Sequence, residues 1–177
     1  MNNENNVMKL CSFYVSDWHL ITMLIPYISK KINEETKIAT ILENDIRNNV
    51  EVLLEKLSLK NEEKILSINW KNIKEVKYSK INKILEKETE GEILIIVNGT
   101  KKYIEKVNIF LDKYIQSNLE KIQKTNVKIK IVNCYEIIEF NGSIVEILDN
   151  HDKILNTSGE KEINEVFEDY NRKEKIG

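Results

Sequence analysis

Glu92-Ile93-Leu94-Ile95-Ile96-Val97 is the stretch of sequence that decides the fold. A strand with one wet face alternates apolar and polar residues, because successive side chains point to opposite faces. Here one Glu is followed by an unbroken aliphatic run. Both faces must therefore be covered, as in a central strand of a parallel sheet. Outward from this run, short β-branched segments alternate with longer ones of helical period. Residues 9–14, 37–42, 64–69 and 127–134 read as further strands.

The intervening segments read as helices. Ser16 is placed to cap one that runs to about Asn33, with Trp18, Ile21, Leu24, Ile25, Ile28 and Ile32 facing the sheet. Pro26 removes the bond to the Thr22 carbonyl, so a kink is expected there. Residues 45–57, 78–88 and 103–115 give further helices, the last with Ile104, Val107, Phe110, Leu111 and Tyr114 on one face. After a turn at Asn141-Gly142, Ser143 opens a short helix over 144–150. Residues 153–156 and 161–166 flank Ser158-Gly159 as a terminal β-hairpin. Strands joined by helices of this length imply right-handed crossovers. The expected class is a three-layer α/β/α domain with a mainly parallel sheet and a C-terminal β-hairpin. Residues 1–8 read as a disordered leader, 9–167 as a single domain and 168–177 as a charged tail.

Composition narrows the function. The chain has 177 residues, 27 Lys+Arg against 29 Asp+Glu, and a net charge of −2. No basic excess points to nucleic acid, and no run reaches the ~18 apolar residues a membrane span needs. Without a signal-peptide pattern, the reading is cytoplasmic. Cys11 and Cys134 each sit in an apolar run and read as buried, reduced thiols.

Ligands of parallel sheets bind beyond the carboxyl ends of the strands. That rule selects Tyr14, Ser16, Asp17, Trp18, His19, Glu43, Trp70, Asn98 and Tyr135 as a candidate pocket. A nucleotide enzyme would need a glycine- and lysine-bearing loop after the first strand. That junction reads Val15-Ser16-Asp17-Trp18-His19, with neither, and with an Asp that would repel phosphate. The central strand ends in Asn98 where a metal-holding Asp would stand. No metal-ligand spacing joins His19, His151, Cys11 and Cys134. His151 reads as a helix-end cation that complements the macrodipole. Ser16 and His19 suggest a nucleophile and base, but an N-cap role accounts for the serine alone. Tyr14, Trp18, Trp70 and Tyr135 all map to one rim, where they would line an apolar pocket, although each of the two Trp is as well explained by the core. No cofactor is expected.

Leu10-Cys11-Ser12-Phe13-Tyr14, the helix carrying Leu24-Ile25-Pro26-Tyr27, and the strand that leads into Glu43 resemble the opening of MEDS domains. These are the methanogen/methylotroph DcmR sensory domains, degenerate relatives of KaiC/RecA-like ATPases. Ile131-Val132-Asn133-Cys134-Tyr135 and residues 144–151 resemble the family's later strand and helix. The family often opens its first strand with a His, where Lys9 stands here. The resemblance implies a RecA/KaiC-like sheet and a non-catalytic sensor for a small, largely apolar ligand. With no output domain visible, its state would pass to a protein partner such as a kinase or a transcription regulator. In such relatives a glutamate in the place of Glu43 polarises water; without a phosphate loop, Glu43 is expected to be a pocket polar group only. The alternatives are a ligand-independent interaction module and a degenerate nucleotide-binding protein.

Overall fold

The computed structural model describes residues 6–73, 83, 90–137 and 144–171. The aliphatic run lies in strand β3 (Glu90–Gly99), where every residue from Ile93 to Val97 is at most 1 % exposed. β3 pairs in parallel with β2 (Lys37–Leu42) on one side and β4 (Asn126–Glu136) on the other. Beyond β4 lies β1 (Val7–Tyr14), then the parallel β5 (Lys153–Asn156) and the antiparallel β6 (Gly159–Lys161). The order is β2-β3-β4-β1-β5-β6.

Alternation along β3 divides the core. Leu94 and Ile96 pack with α1 (Asp17–Asn33), α2 (Arg47–Lys56) and α3 (Glu62–Leu66) on one face. Ile93, Ile95 and Val97 pack on the other with α4 (Lys101–Ser117), α5 (Leu119–Lys124), α6 (Ile144–Asp149) and α7 (Ile163–Val166). Helices on both faces of a mainly parallel sheet make the three-layer α/β/α architecture expected from the sequence.

Several local expectations are corrected. Residues 64–69 form no strand. Glu62 and Glu63 sit in the first turn of α3, where acidic side chains favour the helix dipole, and Ile65 is buried against α1 and α2. A short apolar run has no periodicity long enough to separate helix from strand, and tertiary packing decided it. The hairpin's second strand stops at Lys161, because Ile163, Val166 and Phe167 have helical spacing and α7 turns Ile163 into the core. β1 starts at Val7, inside the segment read as a disordered leader, with Val7 opposite Ile129. At the other end, Tyr170 is only 8 % exposed and its hydroxyl donates to Asp149 at 2.5 Å, so the charged tail is anchored at that point. α1 continues unbroken through Pro26, which lies on its exposed side. Trp18 has the phase of the buried stripe, but it stands in the first turn past the end of β1 and is 48 % exposed. The helix expected over 78–88 and the turn at Asn141-Gly142 fall outside the described residues, but for Lys83.

One ion network ties α1 to three strands. Lys31 Nζ lies 3.0 Å from Glu92 and 3.3 Å from Glu34, and Lys130 Nζ lies 2.6 Å from Glu160 and 3.9 Å from Glu92. The Tyr27 hydroxyl donates to Glu160 at 2.6 Å. Burial by itself would raise the Glu160 carboxyl, yet hydrogen bonds from Lys130 and Tyr27, with the charges of Lys130 and Lys31, hold it below its ordinary 4.5. A group depressed in the folded state adds stability above its unfolded value and loses it as pH falls through the folded one. Glu160→Gln is therefore expected to flatten the acid limb of stability against pH below about 4.5, measured by urea unfolding across that range.

Candidate functional site

The loop after β1 is a capped helix start. The Ser16 hydroxyl accepts from the His19 amide at 3.2 Å, which satisfies one of the amides that the first turn leaves open. His19 Nδ1 in turn accepts from the Val15 amide at 3.2 Å. Both side chains that suggested a nucleophile and its base are engaged in building this turn. Asp17 lies partly buried in the first turn, where its charge favours the helix dipole.

The strand ends on the β2–β3 side are closed by a clasp. Glu43 follows β2, and its carboxylate accepts from the Thr100 amide at 3.2 Å and from the Thr100 hydroxyl at 3.1 Å. Thr100 also caps α4. The Glu43 amide donates to Asn98 Oδ1 at 3.1 Å, and Asn98 Nδ2 reaches the Tyr14 hydroxyl at 3.5 Å. Asn98 is fully buried, so the residue in the expected metal position holds two strand ends together instead. The clasp explains Gly99, whose φ is +147°. A Cβ there would stand 2.5 Å from Glu43 Oε2 and 2.7 Å from Glu43 Cβ.

The four expected rim aromatics do not meet. Tyr14 and Trp70 are fully buried core residues, and Trp70 Nε1 donates to the Ile65 carbonyl at 2.9 Å. Burial first, then the nearby carboxylates of Glu136 and Asp17, push the Tyr14 phenol upward. Trp18 faces solvent. α3 and the segment that follows it fold against β2. There the Thr40 hydroxyl bonds the Asn69 carbonyl, and the Ile73 amide donates to the Leu42 carbonyl at 2.8 Å.

Tyr135 is the exception. It lies inside β4, one residue from its end, on the face covered by α4 and α6. There it lines a cavity of about 310 Å³ between those two helices. The walls are Ile109 and Ile147, and the rim carries Lys9, Lys101, Glu105, Asp112 and Glu146. Lys101 Nζ bridges the helices, 3.1 Å from Glu146 and 3.7 Å from Glu105, while Lys9 pairs with Asp112 at 2.8 Å. Tyr135 is 5 % exposed, its ring packs on Phe13 at 6.0 Å and edge-on to His151 at 5.9 Å. Its hydroxyl has no hydrogen-bond partner among the described residues. Burial makes its phenol a weaker acid more than any other cause, and the charges that add to this include Glu105 and Glu146 on the cavity rim.

Beneath the cavity runs a polar chain that sequence reasoning missed. Asn108 Nδ2 donates to the Ile104 carbonyl at 2.9 Å, which orients its amide, and also to Asn133 Oδ1 at 2.8 Å. Asn133 Nδ2 returns a bond to Asn108 Oδ1 at 3.1 Å and approaches His151 Nε2 at 3.0 Å. His151 Nε2 must then accept, so Nδ1 carries the proton that meets the Ile147 carbonyl at 2.6 Å. His151 is 4 % exposed and satisfied as a neutral ring, not the helix-end surface cation expected. The available signal was Asn133 inside an apolar strand, because an uncharged polar residue there is informative when buried. Only pairing in space reveals Asn108 and His151. The thiols offer no chemistry here: burial raises Cys11 to about 12 and Cys134 higher still, so neither is a ready nucleophile. Among the described residues no group of three or more His, Cys, Asp or Glu is placed to hold a metal ion.

Comparison with family models, with curated proteins and with solved structures finds no match for this chain.

The clasp makes a double-variant test. Gly99→Ala is expected to destabilise the fold by about 1–3 kcal/mol through overpacking and an unfavourable φ. Combined with Glu43→Gly, which removes both the carboxylate and the Cβ that a side chain at 99 would meet, the loss should fall short of the sum of the two single losses by more than about 0.5 kcal/mol, because the clash disappears while the φ strain stays. Urea unfolding of the two single variants and the double one measures that coupling.

Proposed function

We propose that the protein is a non-catalytic sensory domain that binds a small organic molecule in the cavity between α4 and α6 and reports its occupancy to a protein partner. One observation carries this reading: the nearly buried Tyr135 lines that cavity with its hydroxyl unpaired among the described residues. The hydroxyl is open to the cavity, so a ligand that bonds it replaces water and gains about 0.5–1.5 kcal/mol net. The cavity lies at the small end of the ~300–1,000 Å³ typical of ligand sites, and its lining sets Ile109, Ile147 and the Tyr135 ring among polar and charged side chains.

The resemblance to MEDS sensory domains supports the class, with the ligand seated beside the sheet instead of at its strand ends. The engagement of Ser16, His19 and Glu43 in caps and clasp, and of both His151 nitrogens in the polar chain, supports a role without chemistry. A ligand between α4 and α6 would bear on the Lys101–Glu146 bridge and on the Asn108–Asn133–His151 chain, which together join these helices and β4. Differential contact of that kind is what a ligand needs in order to shift a conformational equilibrium.

A second reading, a ligand-independent interaction module, is favoured by Val15 and Trp18, which are 49 % and 48 % exposed in the turn that opens α1. Thermal unfolding across a panel of small organic compounds separates the two. At ~100 times its dissociation constant a true ligand adds about 2.7 kcal/mol. For a chain of this size that is a shift of roughly 5–10 °C. Tyr135→Phe should lower the shift by up to about half, with little change in the ligand-free midpoint. No shift from any compound class, or one that Tyr135→Phe leaves intact, would sink the sensory reading.

A further inference from the structure

We infer that the ligand of the α4–α6 cavity is a small organic monocation, a primary or secondary ammonium on a compact apolar body. The inference rests on the cavity being the ligand site, and it concerns the sign of charge that the site selects. Charged side chains that line the cavity are Lys9 and Lys101 against Glu105, Asp112 and Glu146. Lys9 is matched one to one by Asp112 at 2.8 Å. That leaves Lys101 shared between two carboxylates, close to Glu146 at 3.1 Å and looser to Glu105 at 3.7 Å. The lining therefore carries one uncompensated negative charge, at the rim of the same cavity that Tyr135 lines. His151 does not alter the balance, because its bond from Asn133 and its bond to Ile147 are those of the neutral ring.

An alkylammonium has donors but no acceptor. The acceptors among the lining residues include the Tyr135 oxygen, the carboxylates of Glu105, Glu146 and Asp112 and the side-chain carbonyl of Asn150, so the headgroup and the rim are complementary in kind as well as in charge. The buried Ile147 and Tyr135 ring, with the exposed Ile109 at the edge, offer apolar and aromatic surface for the ligand's body, and an aromatic face attracts cations further. A carboxylate ligand would instead set its charge against two glutamates and gain only the already shared Lys101. Because Glu105 and Glu146 are more than half exposed, their contribution is to selectivity, and the apolar walls supply the bulk of the affinity.

Benzylamine, benzyl alcohol and benzoate have nearly the same shape and differ in charge, and each fits within about 310 Å³. Two-dimensional NMR titration of the full chain with each compound tests the inference, followed through resonances of Tyr135, Ile109 and Ile147. Benzylamine is expected to bind at least about five-fold tighter than benzyl alcohol, with benzoate weakest. Glu146→Gln should weaken benzylamine by roughly three- to ten-fold and leave benzyl alcohol unchanged, whereas Tyr135→Phe should weaken both. Glu105→Gln provides the same test should Glu146→Gln disturb α6. Equal or tighter binding of the alcohol or the benzoate at these resonances would overturn the charge inference while leaving the cavity as a ligand site. Benzylamine binding that neither glutamate variant alters would overturn it as well. If none of the three compounds perturbs these resonances, the inference and the sensory reading on which it rests fail together.

Discussion

A strand whose two faces are both apolar constrains everything around it. From Ile93 to Val97, β3 turns no side chain to water, so a helical layer must lie on each face of the sheet. Leu94 and Ile96 draw α1, α2 and α3 to one side, and Ile93, Ile95 and Val97 draw α4 to α7 to the other. Chain connections then have to leave neighbouring strand ends in opposite directions. β2 runs on towards α2 on one face and β3 towards α4 on the other. This divergence opens the crevice where sheets of this architecture usually bind ligands.

Among the described residues, side chains bridge this crevice. Glu43 crosses it to cap the start of α4 through Thr100, and Gly99 lets the carboxylate lie against the backbone. Asn98 and Tyr14 fill the level below, and Trp70 seals the flank beside β2. Each of these groups is of a type that serves binding or catalysis elsewhere. Here their polar atoms serve one another, which is how buried polar groups are normally accommodated.

The open space lies on the other side of the sheet. α4 and α6 both rest on the face that carries Asn133 and Tyr135, with their rims joined by Lys101 and their floor joined by the two asparagines and His151. Both ends of this arrangement are polar, paired and directional, and the middle is apolar with one unpaired hydroxyl. Two helices held at rim and floor around a partly empty middle give a small molecule something to alter. This is the physical content of the sensory reading.

The fold was largely legible because its signal is periodic and local. EILIIV announces a strand buried on both faces, and the stripe Ile21, Leu24, Ile25 and Ile28 announces a helix with one buried side. Ser16 as a cap and the absence of a glycine-rich loop are likewise readable residue by residue. Residues 64–69 and 161–166 were misread because a run of a few apolar residues fits a strand and a helix equally well, and only the neighbour against which it packs separates them.

Of the candidate site, the sequence singled out Tyr135 but set it among the wrong companions. It placed Tyr14, Trp18 and Trp70 at the same strand-end rim, yet rank along a strand says nothing of whether a side chain points inward, outward or into a gap. The sequence by itself determined the layers, the strand that must be central and the chemistry missing from the first turn. Only the tertiary structure decided which polar residues are consumed by one another and which remains unpaired. Hydrogen bonds such as Glu43 to Thr100 and Asn133 to His151 join residues 57 and 18 positions apart, and their geometry exists only once the chain has closed on itself.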